Sequence, residues 1–133
     1  MIERLSVRTA KRSELIDITA EVNEVVKKSG VTDGTVTVFC PHTTAGITIN
    51  ENADPTVKSD ILGKMERLIE KDDPAFRHME GNSDSHLKSS FVGASETVII
   101  NKGRLVLGTW QSIYFAEFDG PRTREVVVKV LEG

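Results

Sequence analysis

The chain has 133 residues and a mass of 14.6 kDa, with 38% hydrophobic and 28% charged residues. That size holds one globular domain with a real core, excludes a (β/α)₈ barrel of about 250 residues, and leaves no room for a separate cofactor domain. Seventeen Lys plus Arg against 20 Asp plus Glu give a net charge of −3 and a pI near 5.6, so the basic excess that phosphate backbones require is missing and nucleic acid is not an expected partner.

The single cysteine, Cys40, cannot form an internal disulfide, which points to a reducing compartment. Residues 1 to 10 alternate apolar with charged side chains, unlike a signal peptide, and no run of about 18 apolar residues offers a membrane span. A cytoplasmic protein without membrane partners is the simplest expectation.

Residues 2 to 9 alternate, with Leu5 and Val7 on one face, and predict a half-buried strand. Residues 14 to 19 predict a second, short strand. Ile18, Val22, Val25 and Val26 then fit a helix ending at Gly30. Residues 34 to 40 alternate again through Val36, Val38 and Cys40, leaving His42 just past the strand end, and Ala45 to Ile49 predict the next strand. Asp54 as N-cap and Pro55 at the first helical position open the clearest helix, whose apolar stripe is Val57, Ile61, Leu62, Met65, Leu68 and Ile69; Asp72-Asp73-Pro74 stops it. Residues 74 to 85 read as an exposed loop. Asp84 or Ser85 caps a short helix containing Leu87 and Phe91 and closed by Gly93, with His86 in its first turn. Glu96 to Asn101, a Lys102-Gly103 turn, Arg104 to Phe118, an Asp119-Gly120-Pro121 turn and Thr123 to Leu131 make the last third β-rich. The sum predicts a single compact α+β domain dominated by antiparallel sheet, sandwich-like, with two or three helices.

Four places could carry chemistry. All three histidines, His42, His78 and His86, fall in the polar central third, with Glu51, Glu80 and Asp84 nearby in sequence. Three imidazoles with one open position is the pattern of catalytic zinc, and Asp84 stands two residues from His86, where a carboxylate can orient an imidazole. His78-x₇-His86 matches no standard zinc spacing, so solvated loop histidines are the other reading. In Pro41-His42-Thr43-Thr44-Ala45-Gly46 two hydroxyls beside an imidazole could hold a phosphate or carboxylate; the same residues could simply bond local backbone. Asn50 to Asp54 lead into the strong helix; capping accounts for Asp54 and Asn52, whereas Glu51 has no capping role. Four of the seven aromatics lie between residues 110 and 118, as in a core or subunit interface. Glu117, between Ala116 and Phe118, needs a partner if buried, and Arg122 is the natural candidate. Cys40 reads as a small buried hydrophobe.

Three segments, Pro41 to Pro55, Glu80 to Ser90 and Gly103 to Arg122, resemble the YjbQ-type family, whose members are commonly described as secondary thiamine-phosphate synthases. The resemblance spans essentially the whole chain. It implies a compact YjbQ-like α+β fold over residues 1 to 133, association into homotrimers, and a polar pocket in which His42, His78 and His86 hold a divalent metal, zinc foremost. The implied reaction joins aminopyrimidine methyl pyrophosphate to thiazole phosphate and releases pyrophosphate. In that reading Thr43, Thr44, Asn82 and Lys88 bind the phosphorylated substrates, and Glu51 or Asp84 orients a ligand or accepts a proton. A metal- or phosphometabolite-binding protein without turnover, and a metal-assisted hydrolase of a phosphorylated substrate, are the alternatives.

Overall fold

The computed structural model describes residues 1–133, which form eight strands and three helices: β1 (Ile2–Arg8), β2 (Glu14–Asp17), α1 (Thr19–Ser29), β3 (Asp33–Phe39), β4 (Ala45–Glu51), α2 (Pro55–Leu68), α3 (Ser83–Val92), β5 (Ser95–Asn101), β6 (Arg104–Leu105), β7 (Gln111–Glu117) and β8 (Thr123–Glu132). The alternation read in the sequence is the packing device. Val36 and Val38, Val98 and Ile100, and Val126, Val128 and Val130 all point to one face of the five-stranded sheet β1-β8-β3-β5-β6 and are nearly inaccessible. They meet Ile47, Ile113 and Phe115 from the three-stranded sheet β2-β7-β4. Every pairing is antiparallel. Helix α1 adds Val22, Val25 and Val26 to the same core and touches strands of both sheets; it ends on Gly30, whose φ of 70° is the left-handed cap glycine adopts without strain.

Helices α2 and α3 flank the smaller sheet. The Tyr114 ring is fully buried there, with the Lys58 ammonium 5.6 Å from its centroid. The outer face of the larger sheet carries no helix, and Phe39, Ile99 and Leu131 are exposed. No helix is long and apolar enough to cross a membrane.

Several boundaries differ from the sequence expectation for local reasons. Strand β2 stops at Asp17 because its carboxylate accepts the Thr19 amide at 2.9 Å and turns the chain into α1. The expected strand from Arg104 to Phe118 is two strands in different sheets: β6 pairs with β5, β7 with β2 and β4. Between them the Gln111 side chain accepts the Gly108 amide at 2.7 Å and fixes a turn. Helix α2 begins as read, with Asp54 accepting the Thr56 amide at 2.9 Å, but ends at Leu68 where Ile69 becomes extended. Its apolar stripe contains no fully buried residue, and Leu68 is 66% exposed.

One polar group binds the two sheets at the end where the site lies. The Glu117 carboxylate, fully buried on β7, accepts Arg124 Nε at 2.9 Å, Arg124 Nη2, Thr9 Oγ1 at 2.9 Å, and the amides of Phe118 and Asp119 at 3.1 Å each. Its partner is thus Arg124 on β8, not Arg122, which turns outward to Asp119 with Nη2 at 3.1 Å from Oδ2. Burial alone would raise the Glu117 carboxyl, but the donors from Arg124, the Asp119 amide and Thr9 outweigh it and hold the group below the ordinary range.

Because the folded-state carboxyl titrates below its unfolded counterpart, the stability Glu117 contributes is present above about pH 4.3 and is lost as pH falls through the folded value. Glu117→Gln should therefore cost about 3 kcal/mol or more at neutral pH and flatten the acid side of the stability curve, read by urea unfolding between pH 7 and 3. Two glycines offer a second check. A Cβ on Gly46 would lie 2.5 Å from the Gly93 carbonyl oxygen, so Gly46→Ala should destabilise by about 1–3 kcal/mol. Gly63, inside α2, has only Arg67 Nη1 at 3.5 Å from such a Cβ, so Gly63→Ala should gain up to about 1 kcal/mol.

Candidate functional site

The connections leaving this polar junction form a cleft of about 420 Å³ lined, apart from Pro41, by polar and charged side chains. The β3–β4 connection supplies His42, Thr43 and Thr44; the segment before α3 supplies His78, Glu80 and Asn82; α3 supplies His86; and the β7–β8 turn and start of β8 supply Asp119, Arg122 and Arg124. The walls are tied to one another. Thr44 Oγ1 accepts Arg124 Nη2 at 2.8 Å, and its carbonyl accepts the Phe118 amide at 3.2 Å. The Thr43 carbonyl accepts the Ser89 hydroxyl at 2.6 Å from α3. Loops held this way present polar atoms with little freedom, as a binding site requires.

Helix α3 reaches its neighbours through polar atoms. Positions one turn apart form stripes, three of which are polar. Asn82 and His86 line the cleft. Ser85 and Ser89 are buried and donate to the carbonyls of Phe118 and Thr43. Asp84 and Lys88 are fully buried and paired at 3.0 Å; Arg12 donates twice to the Asp84 carboxylate, and Lys88 also reaches Glu66 of α2 at 2.8 Å. Burial pushes the Asp84 carboxyl up, but Arg12 and Lys88 more than reverse that and hold it low. The helix starts at Ser83 with Asn82 as N-cap, two residues before Asp84 and three before Ser85, the expected caps, and without a side-chain cap bond.

That bond is absent because Asn82 is used across the cleft floor. Its Nδ2 donates to Asp119 Oδ2 at 2.8 Å, which fixes the amide orientation and leaves Oδ1 buried with no hydrogen-bond partner. A buried acceptor without a donor costs about 1–3 kcal/mol, so this atom is open to a donor from a bound water or a ligand.

Imidazole geometry sets the rest. His42 Nε2 accepts the Glu125 amide at 2.9 Å. Burial first, then the Arg124 charge, lowers the His42 pKa from its ordinary value, so the ring is neutral at pH 7 with its hydrogen on Nδ1. Nδ1 has no partner within the chain and is available as a donor. The rings of His78 and His86 stand edge to face with centroids 5.3 Å apart. The buried Cys40 thiol lies 4.0 Å from the His42 carbonyl oxygen, and burial raises its pKa.

Six of the sequence candidates, His42, Thr43, Thr44, His78, Asn82 and His86, thus face one cleft, and three do not. Glu51 sits at the far end of β4: Ala45 pairs with Glu117 beside the cleft and Glu51 with Gln111, about 20 Å along the strand. Asp84 and Lys88 neutralise each other beneath α3, and their polar atoms are spent there. Arg124 was not singled out in the sequence, although a signal existed. It shares parity with Val126, Val128 and Val130, the inward face of β8, where an arginine needs a buried anion.

The metal expectation meets a geometric obstacle. No group of three or more His, Cys, Asp or Glu side chains is gathered to hold an ion. His42 could ligate through Nδ1 only in its other tautomer, with Nε2–H donating to the Glu125 carbonyl at 3.2 Å. As placed, the three rings share a cleft without forming a ligand set.

Comparison with known proteins agrees with the resemblance read in the motifs. Residues 3–133 match the family described as UPF0047 protein YjbQ-like. The chain is 54% identical over 131 residues to the UPF0047 protein YugU of Bacillus subtilis, covering 98% of this chain and 99% of that protein. A UPF0047 protein of Methanocaldococcus jannaschii is also 54% identical, at 98% and 94% coverage. A crystal structure of a YjbQ/UPF0047-family protein from Clostridium acetobutylicum superposes with a TM-score of 0.95 at 53% identity, covering 97% of this chain and 99% of that one. A YbjQ-like protein of unknown function from Sulfolobus solfataricus gives the same TM-score, 0.95, at only 36% identity, covering 100% of this chain and 97% of that one. With family match, sequence identity and fold in agreement over nearly its whole length, the chain belongs to the YjbQ-like UPF0047 family.

Proposed function

We propose that the cleft is the site of an enzyme acting on phosphorylated small metabolites, and that its reaction is the one the family resemblance implies, thiamine-phosphate synthesis. The observation that carries the phosphate reading is the wall composition: two arginines, three imidazoles, two threonine hydroxyls and the Asn82 amide, against the carboxylates of Glu80 and Asp119, around about 420 Å³ in which Pro41 is the one apolar side chain. Phosphate oxygens are acceptors, and this wall is rich in donors. His42 Nδ1–H, the Arg122 guanidinium and the hydroxyls of Thr43 and Thr44 would hold them. Asn82 Oδ1 accepts a donor on the ligand.

The thiazole nitrogen lone pair attacks the methylene carbon of the aminopyrimidine pyrophosphate, the carbon–oxygen bond breaks, and the pyrophosphate departs with that electron pair. A ring nitrogen without hydrogen releases no proton, so the step needs no general base. Asp84 and Glu51 lie outside the cleft, and this chemistry does not call on them. The chain's task is to hold two phosphate-bearing molecules in line and neutralise charge on the leaving group. The use of phosphorylated precursors of this kind would suit a cytoplasmic protein.

Purified protein supplied with both precursors should form thiamine phosphate, and His42→Ala and His86→Ala variants that keep their circular dichroism should lose about 10²-fold or more in kcat/KM. No product from the wild type, or activity retained in both variants, rejects the reaction. A second reading, zinc held by His42, His78 and His86, is favoured by the Glu125 carbonyl at 3.2 Å, ready to fix the metal-binding tautomer of His42. Elemental analysis of protein purified without added metal or a histidine tag decides it: about one zinc per chain supports the reading, and below about 0.1 removes it.

We also propose the homotrimer, on the uncovered outer face of the larger sheet, where Phe39, Ile99 and Leu131 are 42%, 59% and 53% exposed. Light scattering should return three times the 14.6 kDa chain mass, and Ile99→Asp should lower it. A monomeric wild type ends this proposal.

A further inference from the structure

The cleft does not stand alone. A second cavity of about 430 Å³ adjoins it, lined by Phe76, His78, Ser83, His86 and Leu87. His78 and His86 line both spaces, so the edge-to-face imidazole pair is a shared wall. The two spaces differ in character. The cleft has polar or charged side chains everywhere except Pro41; the second cavity has Phe76 and Leu87 and no charged side chain. Helix α3 makes the division by its period: Asn82 and His86 look into the polar space, and Ser83 and Leu87, one residue further round, into the apolar one.

An apolar compartment opening beside a donor-lined one fits a ligand with two ends. Leu87 is 40% exposed, apolar surface that no other part of the chain covers. The other cavity touching the site, lined by Arg4, Ser6, Thr123 and Glu125 on the far side of His42, is of another kind: its Arg4 is already paired with Glu125.

We propose that the ligand of the cleft is an organic phosphate whose carbon part is a compact apolar group seated against Phe76 and Leu87, which makes these two residues the determinants of specificity. The inference rests on the phosphate reading of the cleft and adds the chemistry of the other end. Phosphate selects for charge and leaves the carbon skeleton unread; the wall of Phe76 and Leu87 reads it, while His78 and His86 pack against the junction between the two ends.

Methyl phosphate and phenyl phosphate carry the same head and differ in the apolar group, so calorimetric titration of each against the full chain separates the two claims. Phenyl phosphate should bind at least about tenfold more tightly than methyl phosphate, the gain expected from burying most of one ring. In Phe76→Ala/Leu87→Ser that advantage should vanish while methyl phosphate affinity stays unchanged, and Arg122→Ala should weaken both ligands alike. The unchanged methyl phosphate affinity certifies that the double variant is folded. Equal affinities in the wild type, or an advantage that survives the double variant, overturn the apolar compartment and leave the phosphate cleft standing. Failure of both ligands to bind overturns the two together. If a second copy of the chain covers this cavity, phenyl phosphate shows no advantage and the double variant lowers the mass seen by light scattering; that result also overturns the proposal.

Discussion

A carboxylate taken fully out of water keeps its charge only if donors replace the water, and Glu117 is surrounded by five. The rest of the site follows from how those donors are supplied. Thr9 comes from the end of β1, Arg124 from β8, and the two amides from the turn that follows Glu117 itself. Arg124 then reaches Thr44, so the chain segments that meet at one carboxylate are the ones that wall the cleft. A buried ion pair of this sort adds little net stability compared with apolar residues of the same volume, because desolvation offsets the attraction. Its distinctive contribution is direction. Leucine and methionine would fill the space but could not set the Thr44 hydroxyl and the 118–119 backbone in one arrangement.

The same logic runs through α3, which lacks an apolar stripe. It is held by serine hydroxyls on carbonyl oxygens and by the Arg12–Asp84–Lys88–Glu66 chain of charges. Each link must be made, since a lone buried ion in this environment would cost several kcal/mol. A helix seated by hydrogen bonds cannot slide or rotate without breaking them all. His86 therefore stands in a fixed direction toward the cleft, and Leu87, about 100° further round the helix, in an equally fixed direction away from it.

Alternation made much of the scaffold legible in the sequence. Val126, Val128 and Val130 and their counterparts on β3 face the core because a strand has a period of two, and Gly30 and Asp54 mark helix ends through backbone chemistry that neighbours do not alter. The cleft was legible in part, since His42, Thr43 and Thr44 follow a strand end and His86 opens a helix, places where side chains are left free of ladder pairing. What depended on partners far along the chain was not legible. Asp84 and Lys88 at i,i+4 look like an exposed pair in sequence, and only Arg12 and Glu66, 72 and 22 residues away, make them a buried one. Glu51 lies close in sequence to the Thr43-Thr44 motif, yet six residues of extended strand carry it to the opposite end of the sheet. The stripe on α2 has helical spacing but meets too little surface to be covered within one chain.

Charge bookkeeping within the cleft narrows the kind of recognition it can perform. Arg124 is matched by Glu117 and Arg122 by Asp119, and His42 is neutral. Glu80 adds a negative charge to the same wall. Two arginines so compensated create no strong positive field, and a bare anion entering from water would exchange good hydration for donors already partly engaged. Binding in such a place depends on the fit of individual hydrogen bonds and on surface buried elsewhere in the ligand. The unpartnered Asn82 Oδ1 fits the first requirement and the wall of Phe76 and Leu87 the second, so the polar cleft and its apolar neighbour are best understood as two halves of one recognition surface divided by His78 and His86.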